Sequence, residues 1–78
     1  MLGILLSQKE VKEFEYLLKR ELDEILFDLG DDRIDKKVKS AMVIRYQNLF
    51  SLFKRIASPK ECLQYVIKEN KYIDKNMK

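Results

Sequence analysis

The sequence contains no histidine and no tryptophan, and it has only one cysteine, one proline and two glycines among 78 residues. A single cysteine, Cys62, cannot form an internal disulfide, and without a histidine or a second thiol a structural zinc site is not expected. General acid–base catalysis near neutral pH most often uses histidine, and no glycine-rich loop is present to hold a phosphate. We therefore expect no enzymatic activity, no metal and no cofactor.

The scarcity of turn-forming residues also bears on the fold class. An all-β chain needs many glycines and prolines in its turns, so two glycines and one proline favour an all-α fold. Apolar residues make up 46% of the chain, which is too many for a disordered protein. A chain this short is marginally stable alone, and oligomerisation is the aid that remains without a disulfide or metal. We expect one domain, residues 1–78, that forms a homodimer.

The first helix is predicted over about residues 8–29 because both of its ends carry signals. Ser7 and Glu10 have the spacing of a capping box, in which each side chain bonds the other residue's backbone N–H. Gly30 is expected to end the helix in the left-handed conformation. The apolar residues 1–6 before this helix form an N-terminal arm.

Two more helices are predicted in the rest of the chain. The second covers about residues 32–57 and is expected to be capped by Asp31 or Asp32. The third covers about residues 59–71, where Pro59 takes the first helical position and Ser58 forms a second capping box with Glu61. The tail, residues 72–78, is expected to fray.

Short connections between the helices predict their arrangement. Helices joined by two or three residues pack as antiparallel neighbours. The sequence therefore predicts a three-helix antiparallel up-down-up bundle, made of a long helical hairpin and a shorter third helix. The second helix is expected to be central, because its apolar sector covers about half of its circumference.

Helical spacing assigns an apolar face to each helix. On the first helix the predicted stripe comprises Val11, Phe14, Leu18, Leu22, Ile25 and Leu29, with Leu17 and Leu26 at its edges. On the second it comprises Ile34, Val38, Ala41, Leu49, Leu52 and Ile56, extended by Met42, Tyr46, Phe50 and Phe53. On the third it comprises Cys62, Leu63, Val66, Ile67 and Ile73. Cys62 is then a small core residue rather than a reactive thiol.

Two charged residues interrupt these apolar faces. Glu15 lies inside the stripe of the first helix, and Arg45 lies in the middle of the apolar sector of the second. Folding the hairpin at residues 30–32 brings Arg45 within about one helical turn of both Glu15 and Glu21. We predict an Arg45–Glu15 or Arg45–Glu21 ion pair that is at least partly buried and fixes the register. The alternative is that the Arg45 stem extends to solvent.

Two aromatic residues lie on the side of the first helix that faces away from the core. Tyr16 and Phe27 flank Arg20 there, close to an apolar arm that includes Leu2, Ile4 and Leu5. Either the arm folds over the domain and covers the rings, or these residues form a contact surface. On the second view the chain is a small protein-interaction or regulatory module, homodimeric and cytoplasmic, that docks through a helix face and the arm.

Basic residues supply the alternative function, a regulator associated with nucleic acid. The candidate phosphate contacts are Arg33, Lys36, Lys37, Lys39, Lys54, Arg55 and Lys60, and the tail region adds Lys68, Lys71, Lys75 and Lys78. Residues 1–30 carry a net charge of −3 and residues 31–57 a net charge of +4, so the bases can also be explained by an acidic helix lying against a basic one. The two clusters on the second helix would lie at opposite ends of about 40 Å of helix.

The remaining partner classes are not expected. The opening "MLGILL" is too short to span a membrane, has no basic n-region and has no small-residue cleavage site, so we expect neither a signal peptide nor a membrane anchor. Three small packed helices leave little room for a pocket that would hold a small-molecule substrate. The lone cysteine favours the cytoplasm as the compartment.

Overall fold

The computed structural model describes residues 1–71 and confirms the all-α fold class. It contains helix α1 (Gln8–Leu29), helix α2 (Lys36–Phe53) and helix α3 (Pro59–Glu69) in up-down-up order. No strand occurs among the residues that the structure describes. The predicted fraying of residues 72–78 and the core position of Ile73 lie outside the described residues.

The start of α1 shows the capping box that its sequence predicts. The Glu10 N–H donates to Ser7 Oγ at 3.2 Å, and the Ser7 N–H donates to Glu10 Oε1 at 2.9 Å. The Ser7 backbone N–H, and to a smaller extent its hydroxyl, lower the pKa of Glu10 because they hydrogen-bond the ionised carboxylate. At the other end Gly30 has φ −81° and ψ −3°, so the predicted left-handed cap is wrong. The Gly30 N–H donates to the Phe27 carbonyl at 3.1 Å. This bond adds one tighter turn, still with right-handed backbone angles, after the helix.

The second helix begins later than predicted, at Lys36 rather than near residue 32. Its cap is Asp35, whose carboxylate accepts the Lys37 N–H at 3.0 Å. Asp31 does not cap the helix because its carboxylate is already bonded to Arg33, through the backbone N–H at 2.9 Å and through the guanidinium. The connection between α1 and α2 therefore contains six residues, 30–35, because the acid closest to α1 builds the turn instead of capping the helix.

The second helix also ends earlier than predicted, at Phe53. The next residues form tight turns, in which the N–H of Ile56 donates to the Phe53 carbonyl at 3.1 Å. Ser58 then caps α3 by accepting the Glu61 N–H at 3.3 Å, with Pro59 in the first turn. The second half of the predicted capping box is absent, because the Glu61 carboxylate contacts Lys19 of α1 instead.

The core forms where the three helices meet. Its buried residues are Leu18, Leu22, Ile25, Leu26 and Leu29 of α1, Val43, Tyr46, Phe50 and Phe53 of α2, and Tyr65 of α3. The α1 residues follow the predicted stripe, except that Leu17 at its edge is exposed. Cys62 is half-buried and packs against this core, as a small apolar residue would.

The side of α2 that faces the core is one edge of the predicted apolar sector and not its middle, and Tyr46, Phe50 and Phe53 at that edge are buried as predicted. Val38 and Ala41, two residues of the predicted face, are exposed. The buried residues are about 100° further round, and three of them are aromatic. Tyr46 stacks on Phe50 with ring centroids 6.0 Å apart, and Phe50 on Phe53 at 6.4 Å. Rings bury more apolar area than valine or alanine, so they occupy the interior of a small core.

The third helix contacts both others, chiefly through Tyr65, its one buried residue among those described. The ring meets that of Phe53 edge to face, with centroids 5.2 Å apart. The Tyr65 hydroxyl donates to the carbonyl of Lys19 on α1 at 3.5 Å, and the Tyr46 hydroxyl donates to the carbonyl of Tyr65 at 3.4 Å. Burial raises the pKa of both tyrosines. Each of the three helices therefore contacts the other two, and α2 is not set apart as the central one.

The predicted apolar face of α3 is wrong in its orientation. Leu63 and Ile67 are exposed, Val66 is 38% exposed, and the inward position is taken by Tyr65. The reason is the same as for α2, since the ring fills the gap between α1 and α2 and its hydroxyl reaches a partner. The smaller aliphatic residues remain on the outside of the helix.

We expect Tyr65→Ala to lower the free energy of unfolding by about 4 kcal/mol, because it removes a buried ring and leaves a cavity. Tyr65→Phe removes only the hydroxyl and should cost about 1 kcal/mol. Urea unfolding followed by circular dichroism measures both changes. Ile67→Ala, at an exposed position of the same helix, is the control and should change stability by less than about 0.5 kcal/mol. A loss for Ile67→Ala as large as for Tyr65→Ala would contradict this account of the core.

Candidate functional site

The two aromatic residues predicted to face outward are exposed on α1. Tyr16 is 60% exposed and Phe27 is 79% exposed. Between them lie Arg20 and Glu24, which pair within the helix at 3.6 Å. We call these four residues the outer face of α1. A shallow groove of about 690 Å³ runs along this side of the helix.

The apolar arm does not cover this face. Leu2, Ile4 and Leu5 are exposed, and residues 1–6 have no regular secondary structure. Only Leu6 is half-buried, and it lines a small groove with Phe14 of α1. The alternative in which the arm covers Tyr16 and Phe27 is therefore not what the structure shows. All five predicted partner-binding residues are accessible together.

The predicted ion pair of Arg45 forms with Glu21 and not with Glu15. Arg45 Nη2 lies 3.6 Å from Glu21 Oε2, and the side chains are 67% and 44% exposed. The expectation of a partly buried guanidinium is wrong, because the α2 core lies to one side of Arg45 and the head group remains in solvent. An exposed pair of this kind contributes less than about 1 kcal/mol.

Glu15 instead belongs to a polar contact between α1 and α3. Lys19 Nζ lies 3.7 Å from Glu15 Oε1 and also contacts the carboxylate of Glu61. The lysine lowers the pKa of Glu61, and the carboxylate in turn raises the pKa of Lys19. Further along, Lys68 Nζ lies 3.4 Å from Asp23 Oδ1. These pairs occupy the charges on the flank of α1 that α3 covers, so they are not part of the outer face.

Two of the seven predicted phosphate contacts are engaged within the fold. Lys39 is only 6% exposed, so it is not the accessible base that the sequence suggested. Arg33 donates to Asp31 from Nε at 3.0 Å and from Nη2 at 2.9 Å, which lowers the pKa of Asp31 to about 2. Arg33 is exposed, but its planar donor edge is already matched to a carboxylate.

The other predicted bases are exposed but lie in two separate groups. Lys36 and Lys37 start α2, whereas Lys54, Arg55 and Lys60 follow its end. A helix of 18 residues separates the two groups by about 27 Å, less than the 40 Å expected for the longer helix. Nucleic-acid binding stays a prediction, with fewer available residues than the sequence offered.

The remaining bases predicted to assist are the four lysines near the C-terminus. Lys68 pairs with Asp23 and its ammonium lies 4.8 Å from the centroid of the Tyr65 ring. Lys71 is exposed and has an interaction of its own. Lys75 and Lys78 lie outside the described residues. Lys68 is therefore already engaged within the fold and is not an available phosphate contact.

The sequence pattern did not predict that two apolar residues of α3 would lie on the surface. Leu63 and Ile67 are four residues apart and share one side of the helix. Helical spacing alone predicted that they would be core residues. Tyr65, which lies between them, could have corrected that prediction, because a large ring with a polar end fills much of a small core.

Membrane-spanning helices and metal sites are two further features that bear on the function of residues 1–71. Within residues 1–71 no helix combines the length and the apolar character needed to cross a membrane. The same residues contain no group of three or more His, Cys, Asp or Glu side chains placed to hold a metal ion. Comparison with protein-family models, curated proteins and solved structures finds no match to this chain. The outer face of α1 and the arm therefore have to be interpreted from their own chemistry.

We expect the Asp31 carboxylate to titrate with a pKa of about 2, measured by NMR, because Arg33 stabilises its ionised form. Since the folded pKa lies below the ordinary value of 3.8, this contact stabilises the fold above about pH 4, and the contribution is lost as the pH falls toward 2. Arg33→Gln should raise the pKa of Asp31 toward 3.8. An unchanged Asp31 titration in that variant would show that the guanidinium is not the cause.

Proposed function

We propose that this protein is a small non-catalytic, cytoplasmic protein-interaction module that forms a homodimer through the outer face of α1 and the N-terminal arm. The observation that carries the proposal is the joint exposure of Tyr16, Phe27 and the arm residues Leu2, Ile4 and Leu5. Aromatic residues with an arginine beside them contribute most of the binding energy at protein interfaces.

The size of the domain supports a self-association role. Within residues 1–71 the buried core contains ten apolar residues, and the single cysteine cannot reinforce it with an internal disulfide. Small domains of this kind gain stability by burying further apolar surface against a second subunit. The arm provides that surface at no cost to the core, because none of its first five residues is buried. The cytoplasm is proposed because the lone thiol of Cys62 fits a reducing compartment.

Phe27→Asp should weaken the homodimer about 30-fold or more, because an aromatic anchor is replaced by a charge that must be desolvated on binding. Sedimentation equilibrium across a range of concentrations measures the dissociation constant. Ile67→Asp is the matched control, since it makes the same kind of change at an apolar residue that is 61% exposed on α3. A wild-type protein that stays monomeric at high concentration would overturn the homodimer, and a loss in the Ile67→Asp variant would move the interface to α3.

Leu5→Asp should also weaken the homodimer, by about tenfold, if the arm takes part in the contact. Gly3→Ser provides a control in the same segment, because a Cβ added at Gly3 would meet nothing within 4 Å. The same sedimentation measurement applies to both variants. If Leu5→Asp behaves like Gly3→Ser, the arm has no part in the dimer, and the outer face of α1 alone would have to account for it.

A further inference from the structure

The charges of α1 and the turn after it are distributed unevenly along the chain. Residues 8–20 contain four basic and three acidic residues, whereas residues 21–32 contain six acidic residues and no basic one. The outer face of α1 repeats this polarity, because Arg20 comes before Glu24. The first part is therefore weakly basic in sum and the second part is acidic, and such a surface is matched better by a copy of itself that runs in the opposite direction.

The two rings on this face have a matching geometry. Tyr16 and Phe27 are eleven residues apart, so they lie on the same side of the helix and about 16 Å apart along its axis. The midpoint between them falls between residues 21 and 22. A two-fold axis at that midpoint places Tyr16 of one copy opposite Phe27 of the second copy, and it does so twice.

The same axis pairs the charges of the outer face. The two-fold axis places Arg20 of one copy nearly opposite Glu24 of the second copy, with an offset of one residue. The reason is that these two residues are nearly equidistant from the midpoint. A parallel arrangement would instead place Arg20 against Arg20 and Glu24 against Glu24. Like charges that face each other across an interface oppose binding.

From this complementarity we infer that a second copy of the chain occupies the outer face of α1, with the two α1 helices antiparallel about a two-fold axis near residues 21 and 22. Each Tyr16 packs on the second copy's Phe27, and each Arg20 pairs with the second copy's Glu24. This inference rests on the proposed homodimer and adds its orientation and register.

The arm fits the same arrangement. In the antiparallel register Ser7 lies about 22 Å from the axis, and Gly30 of the second copy lies about 13 Å from it on the same side. The arm therefore starts about 9 Å beyond the second copy's turn, and six extended residues span up to about 20 Å. It can fold back to a groove of about 370 Å³ at that turn, which Phe27 and Gly30 line together with Asp31 and Arg33.

Charge reversal tests the register directly. Arg20→Glu alone and Glu24→Arg alone should each weaken the homodimer about tenfold, because each places like charges opposite each other twice. The double variant Arg20→Glu, Glu24→Arg should return to nearly the wild-type dissociation constant, since the antiparallel pair is restored with its signs exchanged. Sedimentation equilibrium at low ionic strength measures all four proteins, and circular dichroism checks that α1 remains helical.

The controls separate this inference from the proposed function. Arg55→Glu makes the same change of net charge at an exposed position after α2 and should leave the dimer unchanged. If the wild type dimerises, Phe27→Asp disrupts the dimer and the double variant is as weak as the single ones, then the antiparallel register is wrong while the proposed function stands. If the wild type is monomeric at every concentration, the homodimer and the register fail together.

Discussion

The position of the third helix depends on one side chain, Tyr65. Its ring packs edge to face on Phe53 of α2, and its hydroxyl bonds the Lys19 carbonyl of α1. Tyr46 adds a bond from its own hydroxyl to the Tyr65 carbonyl. Burying an aromatic residue contributes a large part of the stability available to a small domain, and the two hydroxyl bonds make the burial specific for one orientation. Apart from the half-buried Cys62, the other α3 contacts described are charged pairs near the surface, which stabilise far less.

The orientation set by Tyr65 decides which part of α1 remains accessible. With α3 along one flank, Lys19 contacts Glu61 and Asp23 pairs with Lys68. On the opposite flank Glu21 pairs with Arg45 of α2. Within residues 1–71 no neighbouring helix covers the outer face of α1, with its two rings and its Arg20–Glu24 pair. How the core packs therefore leaves this face accessible.

The sequence predicted what depends on local chemistry and failed where packing between helices decides. The capping box of Ser7 is a property of neighbouring residues and was predicted in full, and the stripe of α1 was predicted except for Leu17, which is exposed. The apolar sector of α2 spans half its circumference, so the sequence placed Tyr46 within it but could not show that Val38 would lie on the exposed side. On α3 the aliphatic spacing was clear, but Tyr65 occupies the interior because its volume fits the gap between the two other helices.

The same distinction explains why the pairing of Arg45 was predicted and its burial was not. Register follows from the length of the turn, and a few residues of error in the turn still leave Glu21 within reach of Arg45. Burial depends on which way α2 is rotated about its axis, and the rotation left Arg45 at the edge of the core. The outer face could be predicted because Tyr16 and Phe27 lie opposite the apolar stripe of α1. Their burial would have required a second apolar side on that helix.

The charges at the turn between α1 and α2 break the rules that hold for a single helix. The last turn of α1 contains Asp28 and no base, and the first turn of α2 contains Lys36 and Lys37 after its Asp35 cap, so the charges in these turns have the sign that each helix dipole disfavours. Residues 30–35 join these two ends, so charges of opposite sign from the two helices lie in one region. Arg33 and, to a smaller extent, Lys39 lower the pKa of Asp31 in that region. A charge that is unfavourable for its own helix thus indicates what lies next to it.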